Sequence, residues 1–461
     1  MERQRETLGS RLGFILLSAG CAIGLGNVWR FPFITGKYGG AAFVLVYLVF
    51  LALFGLPIMV MEFAIGRAAR RNIAGALRAL EPAGTRWHLY GPVAIAGNYL
   101  LMMFYTVVAG WLLSYCAQAA AGGLVGLDGA GAGEHFERML AEPWSMAFWM
   151  LVVVSLSFAI CGAGLRGGVE RATKLMMGAL FGLMLALAVR AMLLPGAREG
   201  LAFYLLPDFG RMCEAGLTEV VFAAMGQAFF TLSLGIGSMA VFGSYIGRER
   251  SLTGETVNIV LLDTCVAVAS GLIIFPACFA FDVRPDAGPG LLFITLPAIF
   301  NQMAGGRVWG ALFFAFMSFA ALSTVVAVFE NIVSYWIDVR GWSRRKAVRV
   351  NLVAIPLLAL PCVLGFNVWR GFQPLGQGTN VLDLEDFVVS STLLPLGSLV
   401  MLGFCCWRRG WGWNRFLEEA NAGRGLKFPA WARVYATYVL PAIVLAVFVY
   451  GYVGVFKKLI G

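Results

Sequence analysis

Ala320, Ser323 and Thr324 stand at i, i+3 and i+4 inside one apolar stretch, so a helix presents them on a single face. One backbone carbonyl and two hydroxyls meeting there make a set of neutral oxygen donors, the chemistry a hard monovalent cation takes. The plainer alternative is that each hydroxyl bonds the carbonyl one turn back. Three carboxylates, Glu62, Asp263 and Glu330, also fall in apolar stretches. A carboxylate at membrane depth costs several kcal/mol unless paired, so Asp263 is expected to face a cation; ordinary hydrogen-bonded structure is the alternative. Glu62 is expected to cap free backbone N–H groups. Glu330 has no firm role, and proton coupling through it stays open.

What frees those N–H groups is a phrase that occurs twice, Ala22-Ile23-Gly24-Leu25-Gly26-Asn27 and Ser233-Leu234-Gly235-Ile236-Gly237-Ser238. Each glycine lowers helix stability by up to about 1 kcal/mol relative to Ala, and broken backbone is tolerated at membrane depth only where it lines a site. Free N–H groups attract a carboxylate and free C=O groups an ammonium, a combination that suits an α-amino acid.

The elements around these residues are membrane helices. The chain has 461 residues, 60% of them hydrophobic and 13% charged, with a mean hydropathy of +0.80. A soluble domain carries about 25% charged residues. Eleven apolar segments are long enough to span hydrocarbon, near 12–35, 41–66, 90–120, 144–162, 172–194, 218–243, 256–281, 306–337, 348–366, 384–407 and 431–456. The interrupted ones are the first and the sixth. No linker divides the chain, so residues 1–461 read as one all-α membrane domain. Paired broken helices point to two inverted five-helix repeats, about 10–195 and 218–407, plus an extra helix at about 431–456. The hydrophilic stretch 121–143 is Gly-rich and is expected to be a loose loop.

Orientation follows from the basic residues. With the N-terminus inside, cytoplasmic segments hold 24 of the 35 Lys and Arg. This predicts a multi-pass protein of the cell inner membrane, N-terminus cytoplasmic and C-terminus outside. The net charge of +10 is then accounted for by topology and anionic lipid, and calls for no nucleic acid. The nine cysteines have no CxxC spacing, and neither a disulfide framework nor a metal cluster is suggested. Oligomeric state has no readable signature.

The stretch Ala19 to Pro32, AGCAIGLGNVWRFP, resembles the neurotransmitter:sodium symporter family, which includes bacterial amino-acid transporters of the leucine-transporter fold. The resemblance continues through Gly39-Gly40-Ala41, Glu62-Phe63-Ala64-Ile65-Gly66-Arg67, GQAFFTLSLGIG from Gly226 to Gly237 and FITLPAIF from Phe293 to Phe300. It implies two sodium ions. One is held by the carbonyl of Ala22 with Asn27, Thr231 and Asp263, the other by backbone oxygens of Gly20 and Ile23 with Ala320, Ser323 and Thr324.

The same resemblance puts a substrate carboxylate on the N–H groups of Leu25 and Gly26 and the hydroxyl of Tyr105. The ammonium meets carbonyls near Ala22, Phe230, Thr231 and Ser233. Leu101, Tyr105, Phe230, Ser233, Ile236 and Val328 form an uncharged side-chain pocket, which implies a hydrophobic or aromatic amino acid. Chloride-dependent relatives hold the anion with Tyr, Gln, Ser and Asn. Here Tyr47, Gln227 and Thr231 look equivalent, but position 267 is Ala and Asp263 already brings a negative charge, so chloride independence is expected.

Gates are implied by Arg30 with Asp386 on the outside, above a lid of Tyr105 and Phe230, and by Arg5 with Asp338 on the inside, near Tyr245. The chain departs from the family pattern in two places. Gly168 is followed ten residues on by Gly178 rather than Pro, and a Trp common near the N-terminus is Leu8. Both bear on inward opening. The expected function is sodium-driven uptake of a hydrophobic L-amino acid by alternating access, not enzymatic catalysis. The rivals are a proton-coupled or exchange carrier of the same fold and a receptor that binds an amino acid without moving it.

Overall fold

The computed structural model describes residues 6–283 and 290–460. Among them nine continuous helices are long and apolar enough to cross a membrane. A tenth span is broken: α1 (Arg11–Ala22) and α2 (Gly26–Lys37) meet at a bend of 54°. The continuous spans are α3 (Ala41–Ala69), α4 (Trp87–Ala121), α5 (Pro143–Gly162) and α6 (Leu165–Met192) in the first part of the chain. In place of a sixth continuous span there are α7 (Leu217–Thr231) and α8 (Ser238–Gly243), separated by the non-helical residues 232–237. There follow α9 (Leu252–Ala280), α10 (Gly306–Arg340), α11 (Arg344–Gly365), α12 (Val381–Cys406) and α13 (Ala430–Val453). All eleven apolar segments therefore have a counterpart, and the two Gly-rich phrases fall at the two interruptions.

α10 is the axis of the molecule, buried from Ala320 to Ser334 and packed along α4, with α1, α5 and α6 against its other sides. The stretch 121–143 departs from the expected loose loop. Gly129–Ala141 is helical, because the Asp128 side chain accepts from the N–H of Gly131 at 2.7 Å and so caps the first turn. Its Phe136 then stacks on Phe293 at 5.0 Å and meets Trp111 edge-on at 5.9 Å. A helical face with one aromatic anchor offsets the low propensity of its glycines.

Candidate functional site

Both helix breaks are held open by side chains that take up the released backbone groups. In the sixth span, Glu62 of α3 accepts from the N–H of Gly235 at 2.5 Å, as expected of it. The carbonyl of Gly235 accepts from Tyr90 Oη at 2.9 Å, and that of Ile236 from Asn98 Nδ2 at 2.9 Å. Gly235 has φ +95°, and a Cβ there would lie 2.2 Å from the carbonyl oxygen of Leu394. Only glycine fits both the left-handed backbone and the approach of α12.

The five residues expected around one sodium converge. Ser323 Oγ donates to the carbonyls of Gly20 at 3.1 Å and Ala320 at 2.9 Å. Thr324 Oγ1 lies 3.1 Å from the Gly20 oxygen, 3.2 Å from that of Ile23 and 3.4 Å from that of Ala320. The Ala320 bonds are the one-turn-back contacts of the plainer alternative. The bonds to Gly20 and Ile23 span some 300 residues of sequence and are not accounted for by it. Three carbonyls and two hydroxyls thus meet where α1 ends, all buried.

Asn27 and Thr231, two of the residues expected around the other sodium, gather at Asp263 of α9. Asn27 Nδ2 donates to its Oδ1 at 2.9 Å and to its carbonyl at 3.0 Å, and Thr231 Oγ1 lies 3.2 Å from Oδ2. Gln227 Nε2 donates to the Gly26 carbonyl at 2.8 Å, while its Oε1 is buried with no hydrogen-bond partner. Asp263 is fully buried with two neutral donors and no Lys or Arg partner among the described residues. Neutral donors alone do not offset a buried carboxylate's charge.

Beside these oxygens lies a small cavity lined by Ala22, Gly26, Leu101, Tyr105, Phe230, Ser233 and Ile236, all expected there. Thr324 lines it as well, so one residue faces both the pocket and the oxygen cage. Leu25 contributes its N–H, which Tyr105 Oη accepts at 3.0 Å. Thr231 and Val328 are buried but off the cavity wall. Sequence reasoning missed Cys21, Gly24, Val389 and Leu394. The last two are brought to the wall by a widened π turn at Phe387–Leu393, a device frequent at functional sites. A Cβ on Gly24 would stand 2.3 Å from Tyr105 Oη and 2.5 Å from Thr324 Oγ1. Gly24→Ala is therefore expected to weaken ligand binding by about 5- to 150-fold, the equivalent of about 1–3 kcal/mol of overpacking. A binding titration on folded variant checks this.

The structure does not join Arg30 to Asp386. The guanidinium of Arg30 instead sits over the Phe230 ring, 4.5 Å from its centroid, and its Nη1 is buried with no hydrogen-bond partner. Asp386 accepts from Ser390 Oγ one turn along its own helix at 2.7 Å. The cation–π contact and this local bond occupy the two groups separately. Of the pair expected on the inside, Arg5 lies outside the described residues. Asp338 accepts from the N–H of Asn72 at 2.8 Å.

Tyr245 has another partner: its Oη donates to Glu330 Oε1 at 2.8 Å. Glu330 is fully buried and bridged by both nitrogens of the Arg344 fork, at 2.6 and 2.9 Å. Arg344 also holds Glu6 at 2.8 Å and the Cys161 carbonyl at 3.2 Å. Ser10 and Gly9 bond Glu170, and Arg11 bonds Glu255 at 2.9 Å, so the segment 6–11 is strapped across this face. Removing one partner of a buried pair costs about 3–5 kcal/mol. Arg344→Gln is expected to loosen this face and raise the alkylation rate of the buried Cys161 at least about tenfold, whereas adding Glu330→Gln restores protection. Alkylation unchanged in the single variant contradicts the role.

At the start of α6, Gly168 lies within a π turn, Leu165–Glu170, and from Arg171 the helix runs unbroken through Gly178 to Met192. A Cβ on Gly168 would lie 2.0 Å from the Ile160 oxygen, whereas one on Gly178 would meet nothing within 4 Å. Gly168 is thus a packing position and Gly178 is not.

Two interrupted helices around a buried, oxygen-lined pocket define a secondary transporter of a multi-pass membrane class. The chain belongs to the Sodium:neurotransmitter symporter family, which it matches over residues 5–125 and 134–459. It is 35% identical over 400 residues to the uncharacterized sodium-dependent transporter YhdH of Bacillus subtilis, covering 87% of each chain. It is 27% identical to the sodium-dependent serotonin transporter of Drosophila melanogaster, over all of this chain and 78% of that one. The crystal structure of MhsT in complex with L-phenylalanine matches with a TM-score of 0.86 at 39% identity, covering 96% of this chain and 99% of that one. These matches carry the leucine-transporter fold that the resemblance implied, and membership of a family of sodium-dependent transporters rather than enzymes.

Proposed function

We propose that the protein moves a hydrophobic or aromatic L-amino acid into the cell across the inner membrane, driven by two sodium ions, by alternating access and without a chloride requirement. In this reading the N-terminus is cytoplasmic, the C-terminus is outside, and residues about 10–195 and 218–407 are the two inverted repeats. The observation that carries it is the meeting of the Gly20, Ile23 and Ala320 carbonyls with the Ser323 and Thr324 hydroxyls beside a pocket with no charged wall residue. Cation and substrate sites that share Thr324 can bind cooperatively, which is what coupling requires.

The substrate class rests on the pocket's apolar walls, Leu101, Phe230, Ile236, Val389 and Leu394, and on the likeness to MhsT, which was crystallised with L-phenylalanine. Chloride independence rests on the buried carboxylate of Asp263. The proton-coupled alternative is disfavoured because Glu330 is already paired with Arg344. In proteoliposomes, an inward sodium gradient is expected to concentrate labelled leucine or phenylalanine in chloride-free buffer, and a negative-inside potential adds about 2.3 kcal/mol per charge per 100 mV. Uptake that follows a proton gradient and ignores sodium contradicts the proposal. Binding without counterflow makes the protein a receptor.

A further inference from the structure

Beyond the transport path, the segment between α12 and α13 forms a second, larger cleft of about 680 Å³. Its walls include Trp407, Trp411 and Trp413 together with Arg408, Arg415 and Arg433, and Pro82 and Ala83 line it as well. We propose that this cleft binds the phosphate of an anionic phospholipid, with the acyl chains lying along α13.

The charge is uncompensated. Among the described residues no carboxylate forms an ion pair with Arg408, Arg415 or Arg433. The nearest acids in sequence are engaged elsewhere or do not line the cleft. Glu419 is tied to Arg67 at 2.7 Å and to Arg248, and Glu81 to His88 at 2.7 Å. Glu418 is exposed and absent from the wall. Three guanidinium groups with free donors are a phosphate-binding set, since each offers a planar fork.

The cleft is also built rather than collapsed. Trp411 is stacked on Phe404 and Trp413 packs on Phe416 and Phe428, leaving the two 7% and 5% exposed. Trp87 Nε1 donates to the Arg409 carbonyl at 2.7 Å and fixes the turn that presents the arginines.

Its position selects a lipid over a free anion. α12 ends at Cys406 and α13 starts at Ala430, so the cleft stands at the level of the headgroups, where Trp is favoured. Next to Arg433 and a turn further on, Val434 and Tyr438 are 65% and 71% exposed on a membrane span, a surface for hydrocarbon. Basic pockets between helix ends at a membrane surface are suited to anionic headgroups.

The test is native mass spectrometry of the full-length protein in micelles doped with dioleoyl-phosphatidylglycerol or dioleoyl-phosphatidylcholine, with inorganic phosphate as competitor. Each arginine near an anionic surface is worth about a fivefold change in binding. The Arg415→Gln/Arg433→Gln double variant is expected to lose about 20-fold or more in retention of the glycerol lipid, Arg415→Lys/Arg433→Lys to keep most of it, and Arg345→Gln/Arg349→Gln, on an exposed stretch elsewhere, to match the wild type. On the wild type, preference for the glycerol lipid over the choline lipid supports the proposal whether or not the variants fold. Equal retention of the two lipids, a double variant that binds as well as wild type, or displacement by millimolar phosphate overturns it.

Discussion

Thr324→Val is expected to abolish sodium-driven uptake and to weaken sodium activation of amino-acid binding by about 100-fold or more. Valine keeps the shape of threonine, so packing in the middle of α10 is preserved while one oxygen is lost. That oxygen lies 3.1–3.2 Å from the carbonyls of Gly20 and Ile23. Loss of a partner that merely orients a cation ligand costs about 10–100-fold in metal affinity, so loss of a ligand itself sets that as a floor. Because Thr324 also lines the pocket, the sodium curve and the amino-acid curve are expected to shift together. Thr324→Ser, which restores the hydroxyl without the methyl, is expected to recover most of the sodium response. A valine variant with an unshifted sodium curve contradicts the assignment of this cage.

Asp263→Ser is expected to make transport depend on chloride. The carboxylate is fully buried, and Asn27 and Thr231 both orient toward it. A cation held about 4 Å away gains about 4 kcal/mol from it at an effective dielectric of 20. Removing that charge is expected to lower uptake in chloride-free medium about 100-fold or more. Serine leaves space beside Asn27 and Thr231, near the buried Tyr47, and an anion taken up there would restore the balance. Uptake by the variant in gluconate against chloride measures this. Equal rates in both, near the wild-type level, would mean that Asp263 does not balance a sodium ion.

Much of the fold was legible because its signals are long and redundant. Eleven apolar segments and two Gly-rich phrases are patterns of composition, and the helices and their breaks follow them. The α10 side of the oxygen cage was legible for a different reason: Ala320, Ser323 and Thr324 share a helix face whatever packs against it, whereas Gly20 and Ile23 came from the family resemblance. Glu62 was readable as a cap because a buried carboxylate beside a broken helix has few other uses.

The parts that sequence did not show depend on which group meets which across the bundle. Val389 and Leu394 reach the pocket through the π turn at Phe387–Leu393, for which no single residue is a signal. Arg344 stands in a basic run, Arg340 to Arg349, that reads as a topology signal. Only the folded chain turns it onto Glu330. Arg30 has two chemically reasonable partners, a carboxylate and an aromatic face, and the structure chooses the ring of Phe230. In 121–143 the many glycines masked a helix that one capping Asp and one Phe suffice to hold.

The central claim is that sodium and a hydrophobic amino acid bind together at the two helix breaks. The most direct measurement is binding of a panel of labelled L-amino acids to purified protein with sodium, potassium or choline as the only cation, with and without chloride. Saturable binding of leucine-like or aromatic ligands in sodium alone, unchanged by chloride, is the predicted result. Equal binding in all three cations would contradict it and remove the roles given to Asn27, Asp263, Ser323 and Thr324.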